Sequence, residues 1–176
     1  MAQPPKWMLK TIRFIDKYIG DLSGKIFFVL IFPMAGAATY EVVMRYGFNA
    51  PTIWAFDMTW MLYGSHFMLG ATYCLYKGGH IRTDLIYEKL PVRWQGWIDA
   101  SCYLIFFFPG MIYFFAAGYV EAAHSLDILE KSFVTALYPP LYPFKTVIPF
   151  TALLLIMQGV SQFLKSAYAA LRGEWL

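Results

Sequence analysis

Two charged residues at helical spacing, Glu41 and Arg45, are the first candidates for chemistry in this sequence. Four positions separate them, so on a helix they share one surface and can pair. An ionisable pair inside a membrane helix is typical of a proton or ion site. The same pair near the end of a span is typical of an interface anchor, since pairing lowers the cost of placing either charge near lipid. The apolar run before Glu41 begins only at Ile26, which puts the pair near its end and favours the anchor.

His66 lies in the middle of a second apolar run. As a haem ligand it needs a second axial ligand at a similar depth, but His80 and His124 fall in predicted loops on opposite sides of the membrane. A neutral, hydrogen-bonded packing histidine is therefore favoured over haem ligation or proton transfer. Cys74 and Cys102 lack the CxxC spacing of a redox or zinc site. We interpret them as small apolar packing residues.

Asp57 comes just before the second apolar run and Asp99 just before the third. Both positions suit carboxylates that cap a helix start or interact with its dipole. The sequence has no phosphate-binding glycine loop, no clustered metal ligands and no Ser-His-Asp set at a common depth. We therefore predict no catalytic residues, no metal or cofactor site and no enzyme activity.

The elements that hold these residues are predicted to be membrane helices. The chain is 59% hydrophobic and only 14% charged, against about a quarter charged in soluble domains. Four uncharged apolar runs cover Ile26 to Tyr40, Met58 to Tyr76, Ala100 to Val120 and Thr146 to Leu164. A span needs about 20 residues, so the first must extend to about residue 46. The sequence thus predicts an all-α integral membrane protein with four transmembrane helices, at about 24–46, 57–76, 98–120 and 146–165, within a membrane domain of residues 23–176. Prolines at 33, 109 and 149 predict kinks.

The basic residues set the predicted orientation. Eleven of the 14 Lys and Arg residues flank the spans on the side that carries both termini, and only Arg45, Lys131 and Lys145 flank them on the other. The excess of Lys and Arg marks the cytoplasmic side, so we predict a multi-pass protein of the bacterial inner membrane with both termini in the cytoplasm. The formal net charge of +3 requires no nucleic acid.

Residues 1–22 form a separate predicted segment. Its cations and its apolar residues make two nearly opposite helical stripes, composed of Lys6, Lys10, Arg13 and Lys17, and of Met8, Ile12, Ile15 and Ile19. This pattern is typical of an amphipathic interfacial helix over anionic headgroups, and a basic soluble tail is the alternative. Ala35-Gly36-Ala37 resembles a signal-peptidase site, but the charged region before it is long for a signal peptide, so we predict that the first span is retained.

Two stretches carry a family resemblance. Residues 41–54 read EVVMRYGFNAPTIW and residues 76–84 read YKGGHIRTD, followed by Leu90-Pro91. Together with the four spans and Gln158 in the last of them, they closely resemble the small membrane subunit (DctQ family) of tripartite ATP-independent periplasmic (TRAP) transporters. The resemblance covers nearly the whole chain.

The resemblance implies a non-catalytic subunit of a sodium-coupled secondary transporter that imports organic acids. Its implied partners are a large membrane subunit, which it scaffolds and which carries the sodium and substrate sites, a periplasmic solute-binding protein, and membrane lipid. The interface candidates are Glu41, Arg45, Trp54, Asp57, His80, Arg82 and Asp84. The alternatives are a haem or quinone membrane anchor of an oxidoreductase, and a self-sufficient exporter that uses Glu41. The sequence does not identify the solute.

Overall fold

The computed structural model describes residues 4–79, 87 and 89–176, and every regular element in this part of the chain is helical. In chain order the elements are α1 (Lys6–Ile15), a π-helical segment (Asp16–Asp21), α2 (Leu22–Phe28), α3 (Ile31–Gly47), α4 (Trp54–Tyr76), α5 (Val92–Cys102), a second π-helical segment (Tyr103–Phe107), α6 (Phe108–Asp127) and α7 (Tyr142–Arg172). The predicted all-α class is confirmed for these residues.

Proline and glycine account for several helix boundaries. The break between α2 and α3 lies just before Pro33, where the Leu30 amide bonds to the Phe27 carbonyl over 3.1 Å in a tightened turn. Pro109 directly follows the second π-helical segment, whereas Pro149 lies inside the continuous helix α7. α7 ends at Gly173, whose φ of 75° is the left-handed conformation that glycine adopts without a Cβ clash.

Three helical stretches of the described residues are long and apolar enough to cross a membrane: Lys6–Gly47, Val92–Asp127 and Tyr142–Arg172. They contain the first, third and fourth predicted spans. α4 holds the second predicted span and is 23 residues long, which is sufficient in length. It is not among the three stretches above, and it carries Trp60, Ser65 and His66.

α7 is the central helix, since it packs against α1, α4, α5 and α6. It approaches α5 closely at Gly96: a Cβ added there would lie 2.3 Å from the Ala170 amide nitrogen and 2.7 Å from the Ser166 carbonyl oxygen. Such backbone contact between helices requires a residue without a side chain at the crossing point. α3 packs on α4 at the outer side of the bundle.

The apolar stripe of the N-terminal segment is buried within the protein. Met8, Ile12, Ile15 and Ile19 each expose 7% or less of their surface, and α1 packs on α7. Lys10 and Arg13 remain exposed on the other face. The stripe therefore packs within the chain, and the interfacial placement of this segment stays a prediction.

Candidate functional site: polar anchors at the two ends of the bundle

The predicted pair of Glu41 and Arg45 is present at the end of the bundle that carries the α3–α4 and α6–α7 connections, here called the loop end. Nε of Arg45 donates to Oε1 of Glu41 over 2.8 Å. The other carboxylate oxygen accepts the Thr52 amide at 3.0 Å and the Thr52 hydroxyl. The Glu41 side chain is 15% exposed and that of Arg45 54% exposed. Glu41 thus fixes the α3–α4 connection, while Arg45 keeps donor groups at the surface.

Asp57 lies at the same end and is 2% exposed. Its carboxylate accepts Nε1 of Trp60 at 3.2 Å and the hydroxyl of Thr135. It makes no capping hydrogen bond at the start of α4, so the predicted capping role is wrong, although its place in the first turn suits the helix dipole. Asp57 instead ties the α6–α7 connection to α4, and sequence analysis did not single out Thr135.

The other predicted interface residues are distributed as follows. Trp54 begins α4, is 40% exposed, and places its ring centroid 5.6 Å from that of Tyr40. His80, Arg82 and Asp84 lie outside the described residues. Their role in binding a partner stays a prediction.

A second ionic cluster at the loop end was not anticipated. Nζ of Lys145, at the start of α7, lies 2.6 Å from Oε1 of Glu121 and 2.5 Å from Oε2 of Glu130. The hydrogen bond from Lys145 is the main cause that holds the pKa of Glu130 below its ordinary value of 4.5. This cluster joins α6, the α6–α7 connection and α7. Glu130 and Glu121 lie 15 and 24 positions before Lys145 in the sequence. No local pattern therefore indicates that the three residues meet.

The opposite end, here called the terminal end, carries a cluster centred on Asp16. Oδ1 accepts Nε2 of Gln158 at 3.0 Å and the Ser161 hydroxyl at 2.6 Å, and Oδ2 lies 2.6 Å from Nζ of Lys165. The three partners stand on one face of α7. One signal for Asp16 exists in the sequence: it lies four residues after Ile12 and three before Ile19, so a carboxylate interrupts the apolar stripe.

α7 also fixes the end of α4. Nε2 of Gln162 donates to the carbonyl oxygen of Leu75 at 3.1 Å, and the carbonyl of Tyr76 is at 3.4 Å. These are among the last carbonyls of α4, which lack partners within their own helix. Asp57 and Thr135 join α4 to the α6–α7 connection at one end, and Gln162 joins it to α7 at the other.

His66 is bonded to the backbone break before Pro33. Its Nδ1 lies 3.1 Å from the carbonyl oxygen of Phe27. A carbonyl oxygen only accepts, so Nδ1 carries the proton. The favoured interpretation of a hydrogen-bonded packing histidine fits this geometry, and the sequence did not reveal that its partner is a kink carbonyl.

The remaining predictions concern Asp99 and the cysteines. Asp99 lies inside α5, which begins at Val92, so it does not precede its helix; it accepts a hydrogen bond from the Tyr87 hydroxyl at 2.7 Å. Cys74 is half-buried, in agreement with a packing role, whereas Cys102 is exposed. Neither cysteine is in a disulfide.

The comparison with known families matches most of the chain. Residues 34–168 match the family described as tripartite ATP-independent periplasmic transporters, DctQ component. No curated protein matches the chain. The match covers three predicted spans in full and the far end of the first, and it gives no support to a haem or quinone anchor. The chain therefore belongs to the DctQ family, the small permease component of tripartite ATP-independent periplasmic transporters.

Proposed function

We propose that this chain scaffolds the large membrane subunit of a sodium-coupled, binding-protein-dependent transporter that imports organic acids. In the DctQ family the small component works with a large membrane component and a periplasmic binding protein. Sodium coupling and the class of solute follow from the family resemblance. The scaffold role is supported by the placement of charges and exposed aromatic side chains in this chain.

In this proposal the chain crosses the membrane four times, with both termini in the cytoplasm and residues 1–22 at the membrane interface. The anchors at both ends of α4 support α4 as the second of these four spans. Asp57 binds Thr135, which precedes α7, and Gln162 near the other end of α7 binds the last turn of α4. α4 therefore runs parallel to α7 at the same depth. Because α7 is apolar and long enough to cross, α4 crosses beside it.

The charge distribution supports a non-catalytic scaffold. The ion pairs that involve Glu41, Glu130 and Lys145 lie at the loop end, and that between Asp16 and Lys165 lies at the terminal end. Between them, His66 is bonded to a backbone carbonyl. A coupled transporter usually binds its ion near the middle of the bilayer, which agrees with placing the sodium site in the large subunit.

The observation that carries the proposal is an aromatic face on α4. Phe56, Tyr63 and Phe67 recur at helical spacing and are 57%, 58% and 70% exposed. Tyr63 and Phe67 are stacked with ring centroids 6.3 Å apart. This exposed aromatic face suits a protein partner, since aromatic side chains are enriched at protein interfaces. Arg45 and Trp54 are partly exposed and lie at the loop end of α3 and α4.

Copurification with the large subunit tests this surface. The double variant Tyr63→Ala/Phe67→Ala should lose most of the copurified large subunit and most solute uptake in reconstituted vesicles. The matched control is Phe106→Ala/Tyr113→Ala, which removes one Phe and one Tyr that are 72% and 77% exposed. It should retain both. If the α4 variant keeps wild-type copurification, or only the control loses it, α4 does not carry the scaffold surface.

A further inference from the structure

The connection between α6 and α7, residues 128–141, is held in one shape by its own backbone. The Ser132 amide donates to the Pro139 carbonyl and the Leu141 amide to the Glu130 carbonyl, each over 2.8 Å. Lys131 and Pro140 pair as an antiparallel bridge between these two bonds. The Thr135 hydroxyl then ties the middle of the loop to the buried Asp57. Such a loop presents its remaining side chains in a fixed arrangement.

Those remaining side chains are apolar and exposed. Phe133 is 85% exposed, Val134 66%, and Leu137 and Tyr138 51% each. Tyr138 has a φ of 49°, in the left-handed region that side-chain-bearing residues rarely adopt. Backbone strain retained around exposed apolar residues is typical of a surface that has a function.

We propose that the tip formed by Phe133, Val134, Leu137 and Tyr138 inserts into the interface of the bilayer leaflet at the loop end. The proposal rests on the membrane placement proposed above. The helices on either side of the loop, ending at Asp127 and beginning at Tyr142, belong to stretches apolar and long enough to cross. The loop is therefore held at the boundary between hydrocarbon and headgroups, where aromatic residues with a polar edge are stable.

The charges around the loop suit lipid as the occupant. The cation of Lys145 is paired with Glu121 and Glu130. Lys131 is exposed beside the tip, in reach of the phosphate groups of a lipid surface. An apolar tip with an adjacent lysine matches the layering of an interface, with acyl chains below and phosphates above.

Depth-dependent quenching tests this insertion. In the full chain with Cys74 and Cys102 replaced by Ser, Phe133→Cys is labelled with an environment-sensitive fluorophore and reconstituted in phosphatidylethanolamine/phosphatidylglycerol vesicles. Phe133 is exposed, so its replacement does not disturb the core. Nitroxide placed near the headgroup of the lipid should quench this label at least about twofold more than aqueous iodide does. Ile112→Cys serves as the membrane control and Glu174→Cys as the aqueous control, since both side chains are exposed.

The controls separate the possible failures. If Ile112 is quenched by lipid and position 133 is quenched by iodide to the same extent as position 174, the loop faces water and the inference is wrong. If quenching by lipid at position 133 disappears when the large subunit is present, a protein covers the tip, which also overturns it. If Ile112 itself is not quenched by lipid, the membrane placement of the proposed function fails first.

Discussion

Nε of Arg45 lies 2.8 Å from Oε1 of Glu41, and the second oxygen of the same carboxylate accepts the Thr52 amide at 3.0 Å. Glu41 is therefore a junction with partners in α3 and in the connection to α4, whereas Arg45 has one partner and an exposed guanidinium. Replacing Glu41 and replacing Arg45 should therefore remove different contacts. Loss of Glu41 releases the connection and Arg45 together, but loss of Arg45 leaves the connection closed.

We predict that Glu41→Ala reduces copurification of the large subunit and uptake more than Arg45→Ala does. Arg45→Ala should also reduce both, because it removes planar, directional donors from the surface beside α4, and Arg45→Lys should not restore them fully. Copurification and uptake in reconstituted vesicles measure the effects, with Asp127→Ala as the control for loss of an exposed carboxylate at the loop end. If Arg45→Ala leaves both quantities at wild-type levels, Arg45 is only a solvated end charge.

The pair of Glu41 and Arg45 was predictable because four residues on one helix determine their own geometry. The contact of Glu41 with Thr52 was not, since it depends on how the connection between two helices folds. The same reason explains the clusters that sequence analysis missed. Asp16 meets Lys165 across 149 positions and Asp57 meets Thr135 across 78, and no local periodicity encodes either contact.

The amphipathic pattern of the N-terminal segment shows a different limit. The helix at Lys6–Ile15 forms where the two stripes predict it. Periodicity identifies an apolar face but not what covers it, and Ile12 and Ile15 are buried by the protein itself. The interruption of the stripe by Asp16 favours protein over lipid, because a carboxylate on an apolar face needs polar partners.

The contact of α5 with α7 at Gly96 gives a prediction of stability. Gly96→Ala places a methyl group 2.3 Å from the Ala170 nitrogen, and backbone atoms cannot move aside as a flexible side chain does. We expect destabilisation of about 1–3 kcal/mol, as for overpacking of a core, measured by SDS titration in dodecylmaltoside micelles. Gly110→Ala is the matched control, since a Cβ there meets nothing within 4 Å, and it should be neutral or stabilising by up to about 1 kcal/mol. Equal effects of the two changes would contradict the close contact.

The cluster of Glu130 and Lys145 gives a prediction for acid pH. The hydrogen bond from Lys145 lowers the pKa of Glu130 in the folded protein below 4.5. A carboxyl whose pKa is lowered by folding stabilises the native state above its unfolded pKa, and this contribution is lost as the pH falls through the lower native pKa. Glu130 should therefore cause no change in the thermal midpoint of unfolding between about pH 5 and 8. At a pH lower than 4.5 the midpoint should decrease. Glu130→Gln should flatten this acid limb, and an unchanged limb would show that other groups cause it.

The orientation of the chain is tested by thiol labelling in intact cells. In a background without Cys74 and Cys102, Asp127→Cys at the loop end should react with an impermeant reagent, and Lys89→Cys at the terminal end should react only after the cells are opened. Both positions are exposed, whereas the neighbouring Ser125 is fully buried and is unsuitable as a reporter. The reverse labelling pattern would show that the excess of Lys and Arg marks the wrong side here.

The half-buried pair at the terminal end should contribute more to stability than its exposed counterpart. The side chains of Asp16 and Lys165 are 18% and 21% exposed, and those of Asp21 and Lys25 are 33% and 69% exposed, although both pairs have N–O distances of 2.6 Å. A surface pair contributes little, so Asp21→Asn should leave the SDS titration midpoint unchanged.

Asp16→Asn, by contrast, leaves the Lys165 ammonium half-enclosed without its carboxylate and weakens the bonds from Gln158 and Ser161. We expect a loss of about 2–4 kcal/mol in the free energy of unfolding, somewhat less than for breaking a fully buried pair, because the groups are partly exposed. Lys165→Met should cost a similar amount, and the double variant Asp16→Asn/Lys165→Met should cost less than the two single changes added together. Additive effects would mean that Asp16 acts through Gln158 and Ser161 alone, and that the ion pair does not hold the N-terminal segment on α7.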